Sequence, residues 1–275
     1  MSHIIQRAHG RKFDQLRDIK ISYNVFGYAP GSVLFELGNT KVLCSVTMQV
    51  GVPPFLKGSK TGWLTAEYAM LPTSCKTRSN RESTQGKRND RSVEISRLIG
   101  RSLRSVVDLS RIGERTIHVD CDVLQADGST RTASITGAYL ALMKAVAFWV
   151  ENGELIQSII TDAVVAVSAG FTAGSPLLDL DYAEDSIIDA DYNFVFTESE
   201  KIIEIQGAAE KNALSWHEFD QLKNLAIKGA TDYFALIAQF QEKKSLAKIA
   251  NQSDNKKSAG QAPLFSLKNR FVSAV

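Results

Sequence analysis

The 275-residue sequence predicts an α/β (α+β) chain of two mixed β-rich halves with packed helices. Three observations lead there. Residues 116–124 alternate strictly, with Ile117, Val119, Cys121 and Val123 apolar between His118, Asp120 and Asp122, the period of a half-buried strand. An Asp127-Gly128 turn then opens onto a largely apolar helix over residues 131–150. A second set of β-rich runs follows and closes with another helix, so strands and helices alternate twice along the chain.

Taken in order, residues 32–37 and 41–47 are β-rich and joined through Gly38-Asn39, a hairpin signal. Residues 50–61 are a connection broken by Pro and Gly. Its Gly58-Ser59-Lys60-Thr61 lacks the upstream glycine of a P-loop, which excludes an NTPase of that kind. Over residues 91–109, Ile95, Leu98 or Ile99, Leu103 and Val106 recur at helical spacing, with Arg97, Arg101 and Arg104 on a neighbouring face. Ser129 or Thr130 caps the helix of residues 131–150. Residues 163–168, 177–182, 193–197 and 201–206 read as strands of the second half. Ser215-Trp216-His217-Glu218 is a capping box. The helix that it opens runs to about residue 241, with Phe219, Leu222, Leu225 or Ala226, and Tyr233 on one face. From Lys243 the composition turns polar and aperiodic, so residues 1–242 read as one domain and residues 243–275 as a disordered tail, in which Pro263-Leu264-Phe265 could dock on a partner.

No apolar run approaches the roughly 18 residues of a membrane span, and the first residues lack the apolar stretch of a signal peptide. Cys44, Cys75 and Cys121 form no CxxC pair and read as reduced thiols, so the expectation is a cytoplasmic protein with no membrane partner.

The net charge of +2 hides a segregation. From Lys76 to Arg104 nine basic residues face three acidic ones, a net +6; from Asp179 to Glu210 ten acidic residues face Lys201 alone, a net −9. A surface for a polyanion thus coexists with a segment that could hold a divalent cation, which suggests chemistry on nucleic acid.

Two places carry candidate chemistry. Around Ser129, Thr130 and Arg131 the sequence passes from strand to helix, and the unpaired N–H groups of a helix start, with a bidentate cation beside them, suit a phosphate. The same residues also make an ordinary turn and cap with a solvated arginine. In the acidic half, Asp185 and Asp191 flank a short loop leading into the strand of residues 193–197, where their carboxylates could converge on a hard cation; a solvated acidic loop is the other reading.

Long blocks of the chain resemble the bacterial ribonuclease PH family, phosphate-dependent 3′-exoribonucleases related to polynucleotide phosphorylase and the exosome ring subunits. They are Gly62-Trp63-Leu64-Thr65-Ala66-Glu67-Tyr68, Asp120-Cys121-Asp122-Val123-Leu124-Gln125-Ala126-Asp127-Gly128 and Thr130-Arg131-Thr132-Ala133-Ser134-Ile135-Thr136-Gly137-Ala138. The resemblance implies the family's fold, akin to the second domain of ribosomal protein S5. It implies Arg91, Ser129, Thr130 and Arg131 as phosphate-binding, Asp185 and Asp191 as catalytic and metal-holding, and Arg78 and Arg81, joined by Arg97 and Arg101 of the basic helix, as RNA-binding. Inorganic phosphate as co-substrate, a divalent metal such as Mg or Mn, precursor tRNA and other RNA 3′ ends, and a homo-hexameric trimer of dimers belong to the same expectation. The alternatives are an inert RNA-binding ring subunit, which would lack several of these residues, and a hydrolytic nuclease, which would want a denser carboxylate cluster. The chain departs from the family pattern at Ser129, where a glycine is usual, and at Thr73, where an arginine is usual.

Overall fold

The computed structural model of the protein describes Arg7 and residues 10–259. Strands β1 (Ile19–Tyr23), β2 (Gly31–Leu37), β3 (Thr40–Val50), β4 (Trp63–Met70) and β5 (Arg115–Gln125) form one sheet in the order β1-β2-β3-β5-β4, antiparallel except for the parallel β4–β5 pair. Register follows from alternation. Val33 lies opposite Cys44, Cys44 opposite Cys121, and Cys121 opposite Tyr68, so the buried residues of four strands share one face. The β2–β3 hairpin closes through Gly38-Asn39, with Gly38 at φ +57° and too close to the Arg17 side chain for any Cβ.

Between β4 and β5 lie the short α1 (Glu82–Gln85) and α2 (Asp90–Arg104), the latter capped by Asn89, whose side chain accepts from the Arg91 N–H. Both Leu98 and Ile99 are buried with Ile95 and Leu103. The helix stops at Arg104, short of the expected residue 109, although Val106 is buried as its spacing predicts. Arg104 leaves the arginine stripe: it stacks over Trp63, 4.7 Å from the ring centroid, and donates to the Leu64 carbonyl.

Helix α3 (Thr130–Glu151) crosses the inner face of this sheet. Gly137 lets it approach so closely that a Cβ would meet Cys44 Sγ and Phe35, and the buried Cys44 and Cys121 thiols both donate to the Ser134 carbonyl. Those two cysteines are core filler; Cys75 is exposed. By length and a mean hydropathy of 1.5, α3 would suit a membrane span, but most of its surface is enclosed by β2, β3 and β6.

The second sheet is antiparallel, in the order β7-β6-β8-β9, from β6 (Val164–Thr172), β7 (Ser175–Leu178), β8 (Ala190–Thr197) and β9 (Ile202–Ala209). Every residue of β6 is buried, because α3 covers one face while Gly229 of α5 (Trp216–Ala259) abuts Val167 on the other. The Ser215–Glu218 capping box forms as predicted. Ala226, not Leu225, joins Leu222, Ala230 and Tyr233 on the buried stripe.

Four further elements differ from the sequence reading. Strands β1 and β4 are additional. Residues 179–182 are not strand: Asp179 adopts φ +54°, and Asp181 caps the one-turn α4 (Tyr182–Asp185). Helix α5 continues to Ala259, past Lys243, because the sequence there is rich in Lys and Ala, both strong helix formers, and holds no Gly or Pro to stop it. Pro263-Leu264-Phe265 lies outside the described residues. The described residues fall into two compact units, one ending at Phe234 and one beginning at Ala235. Both sheets and the site lie in the first.

Candidate active site

Two helix starts and one face of the central strands of the second sheet converge on a cleft of about 90 Å³ lined by Arg91, Ser129, Thr130, Arg131, Ser168, Leu180, Asp185, Asp191 and Asn193. That is well below the roughly 300–1,000 Å³ of sites for drug-sized ligands, so it suits a small anion better than an organic cofactor. Arg91 enters from the first turn of α2 and Arg131 from the first turn of α3. Opposite them, Ser168, Asn193 and Gln206 lie in register across β6, β8 and β9, and Asp191 precedes Asn193 by two residues on the same face. Asp191 therefore sits in β8 itself, and Asp185 ends α4.

The turn before α3 is locked in place. Thr40 Oγ1 donates to the Gly128 carbonyl at 2.7 Å and accepts from the Asp127 N–H at 3.0 Å. Gly128, at φ +76°, presses against the backbone of residues 180–182, where an added Cβ would come within 2.6 Å of Leu180 O. Ser129 occupies the N-cap position in the left-handed region, φ +56°, so its side chain makes no cap bond, nor does Thr130 supply the cap. The Ser129 hydroxyl instead pairs with Ser168 Oγ at 2.7 Å and donates to Leu180 O at 2.8 Å. A residue type that disfavours this conformation thus gains tertiary bonds that glycine could not make. Thr130 Oγ1 accepts from the buried Tyr68 hydroxyl at 3.0 Å, and burial pushes the Tyr68 phenol above its ordinary pKa.

Arg131 is aimed by two neighbours, donating to Gln206 Oε1 at 2.7 Å and Glu94 Oε1 at 3.2 Å. The two aspartates are electrostatically unlike the rest of their segment. Burial, then the charge of Asp191, raises the Asp185 pKa against the pull of Arg91 and Arg131; burial, then Glu210, raises Asp191. Neither forms a salt bridge among the described residues. Asp179, Asp181 and Glu184, by contrast, are tied to Arg7, Arg11 and Arg17. With Glu204, which pairs with Arg101, four of the ten acidic residues of the −9 segment are accordingly engaged in internal ion pairs.

Arg78, Arg81, Arg97 and Arg101 do not line the cleft. Arg78 and Arg81 are exposed in and after the loop that follows β4, without ion pairs among the described residues. Arg97 and Arg101 flank a shallow groove with Asp90, Glu94 and Gln206, and Arg101 pairs with Glu204 at 3.2 Å. Sequence reasoning missed Ser168, Asn193, Glu94 and Gln206. Asn193 was reachable from Asp191 by the strand period of two; the others have no local signal.

Residues 15–147 match the model of domain 1 of the 3′ exoribonuclease family, and residues 162–229 match its domain 2. The chain belongs to that family. It is 55% identical over 219 residues to ribonuclease PH of Neisseria meningitidis serogroup C, covering 80% of this chain and 90% of the relative. To ribonuclease PH of Tropheryma whipplei it is 52% identical over 226 residues, covering 82% and 91%. Among solved structures, the Archaeoglobus fulgidus exosome with RNA bound to the active site superposes with a TM-score of 0.72 at 26% identity, covering 85% of this chain and 93% of that one. An archaeal exosome core gives 0.67 at 26%, covering 83% and 89%. With relatives this similar over this length, the chain is a phosphorolytic 3′-to-5′ exoribonuclease, a phosphate-dependent nucleotidyltransferase.

Proposed function

We propose that the cleft holds inorganic phosphate between Arg91, Arg131 and the N–H groups at the start of α3, and delivers it to the 3′-terminal phosphodiester of precursor tRNA and other RNA. A phosphate oxygen attacks the terminal phosphorus in line, the bond to the penultimate 3′-oxygen breaks, and a nucleoside 5′-diphosphate leaves behind a shortened RNA with a free 3′-hydroxyl. One observation carries this reading: two arginines, a helix start and two carboxylates of raised pKa line one small cleft. The arginines orient the anion and neutralise its charge without reacting, so the step runs in both directions and is indifferent to the base removed.

The carboxylate pair fits a hard divalent cation. Asp185 and Asp191 are oxygen donors without a salt-bridged cation, and among the described residues no group of three or more His, Cys, Asp or Glu side chains could cage a metal. Mg or Mn held by these two would supply charge neutralisation on the transferred phosphoryl group. Arg78, Arg81, Arg97 and Arg101 contact RNA phosphates outside the cleft. The active form is a homo-hexamer, six copies of the 30.2 kDa chain, working in the cytoplasm, where the buried Cys44 and Cys121 remain thiols. An inert ring subunit is the weaker reading, since Arg91, Thr130, Arg131, Asp185 and Asp191 are all present on one cleft.

The test is to incubate the protein with a 3′-extended tRNA, with and without phosphate, and to identify the released nucleotide. Nucleoside diphosphates appearing only with phosphate are expected. Monophosphates in phosphate-free buffer would overturn the reading. Sedimentation at the mass of a monomer, with full activity, would remove the hexamer.

A further inference from the structure

The loop leading to Asp185 is gripped from behind by residues near the N-terminus. Arg17 engages both carboxylate oxygens of Asp179, Nε to Oδ2 at 3.0 Å and Nη2 to Oδ1 at 2.7 Å, while its backbone N–H donates to Oδ2 at 2.7 Å. The same guanidinium donates to the carbonyls of Asp127 and Leu180. One side chain therefore holds the turn before α3 and the loop before α4 together. Arg7 binds Glu184 through Nε and Nη2, at 2.7 and 2.9 Å, and reaches the Leu178 and Asp179 carbonyls. Arg11 adds a contact to Glu184 at 3.0 Å.

On the cleft side a second tie joins the same two segments. Ser168 Oγ accepts from the Leu180 N–H at 3.1 Å and pairs with Ser129 Oγ, which itself donates to Leu180 O. Arg7, Arg11 and Arg17 do not line the cleft, so they cannot serve substrate directly. A buried ion pair is also a poor way to gain stability, because apolar residues of similar volume would hold the loop as well or better. What the arginine fork supplies is fixed direction: planar, bidentate and shared between two loops. The positive φ of Asp179 is a backbone state that such a network must hold.

We propose that Arg17 and Asp179 are positioning residues of the reaction. They lock the turn presenting Ser129 and Thr130 to the loop presenting Asp185, so that phosphate and carboxylate keep one geometry. This rests on the phosphorolytic reading of the cleft. Turnover then depends on the fork and not only on the charge.

Arg17→Lys in the full chain tests it, since lysine keeps the charge but reaches fewer of the acceptors. On a short single-stranded oligonucleotide at saturating phosphate, kcat is expected to fall between about 10- and 100-fold, with the oligonucleotide KM within about twofold and a normal circular dichroism spectrum. Ser168→Ala is the second variant, loosening the cleft-side tie without stranding a charge. Its kcat per folded molecule should fall about 3- to 10-fold, beyond any melting temperature lost with the partner of the buried Leu180 N–H. A merely structural role predicts a lower melting temperature with wild-type kcat per folded molecule. Wild-type kcat in folded Arg17→Lys overturns the proposal, as does wild-type kcat in Ser168→Ala should the lysine variant not fold. The wild-type reaction keeps the two readings apart. If wild type releases no diphosphate with phosphate present, the phosphorolytic reading fails; if it does and the variants match it, only the positioning role fails.

Discussion

Residues 179–184 and residues 185–191 are neighbours in sequence and equally acidic, yet they are treated in opposite ways. Burial alone would raise the Asp179 pKa, but the charge and hydrogen bonds of Arg17, with Arg11, hold it below the ordinary value of 3.8; Arg7 does the same for Glu184 against 4.5. Asp185 and Asp191, without a cation partner among the described residues, lie above 3.8. The first group is neutralised by its own chain, whereas the second is left for something that arrives from outside. Charge density in the sequence does not separate them; partners do.

The sharpest way to break this comparison is to neutralise the second group. Asp185→Asn or Asp191→Asn should reduce turnover by about 10²-fold or more while leaving RNA affinity nearly intact, because these groups act mainly in the transition state. Wild-type turnover in either variant, measured on a short oligonucleotide, would strike that residue from the site. Stability should move differently for the two groups. Asp179→Ala strands Arg17 in a buried site and costs about 3–5 kcal/mol, whereas Asp185→Asn removes a carboxylate disfavoured by burial and by the Asp191 charge and should be neutral to slightly stabilising. Urea melts of the two variants check the signs.

The pH dependence sharpens the same contrast. Asp179 and Glu184, with lowered values, contribute stability that is complete above their unfolded values of 3.8 and 4.5 and is lost as pH falls through their folded ones. Asp185 and Asp191, with raised values, act oppositely: ionising them costs stability as pH rises from 3.8 through their folded values. Melting temperatures between roughly pH 3 and 7 should therefore show a cost on the rising side that Asp185→Asn reduces, and a steeper acid loss that it leaves alone. An unchanged rising side in Asp185→Asn would contradict the assignment.

Smaller effects are expected away from the cleft. Arg78→Ala with Arg81→Ala should flatten the salt dependence of binding to structured tRNA by a slope of about 2, with little effect on a short single strand. Equal loss on both substrates would mean that these arginines serve the cleft or the fold. Smallest of all, Ser129→Gly exchanges the hydroxyl bonds for an unstrained positive φ and should shift stability by under about 1 kcal/mol by thermal melt.

Sequence alone made some of this legible. The alternation of β5, the helical spacing of α2 and the Asp127-Gly128 turn before α3 are local, and so is the capping box that opens α5. Strand β4 escaped because Leu64, Ala66 and Tyr68 alternate within a run containing Ala and Glu, weak strand formers, and β1 because it is a five-residue edge. In the site, the turn at Asp127-Gly128 and the resemblance pointed to Arg91, Ser129, Thr130, Arg131, Asp185 and Asp191, which the fold brings to one cleft. The pairing of Arg7 with Glu184, 177 residues apart, and of Arg17 with Asp179, 162 apart, has no local signature. Nor has the Gln206–Arg131 contact, which depends on how β9 docks beside α3.

Helix α3 has a consequence for how the chain can be cut. In sequence it belongs to the first of the two family domains, yet one side of it forms the floor under β6 of the second. Neither half owns a finished interior. Separated at the linker between residues 147 and 162, the first would expose an apolar flank of its longest helix and the second would open the buried face of β6 to water. The two halves share a single wall, so either half made alone is expected to present that apolar wall to water.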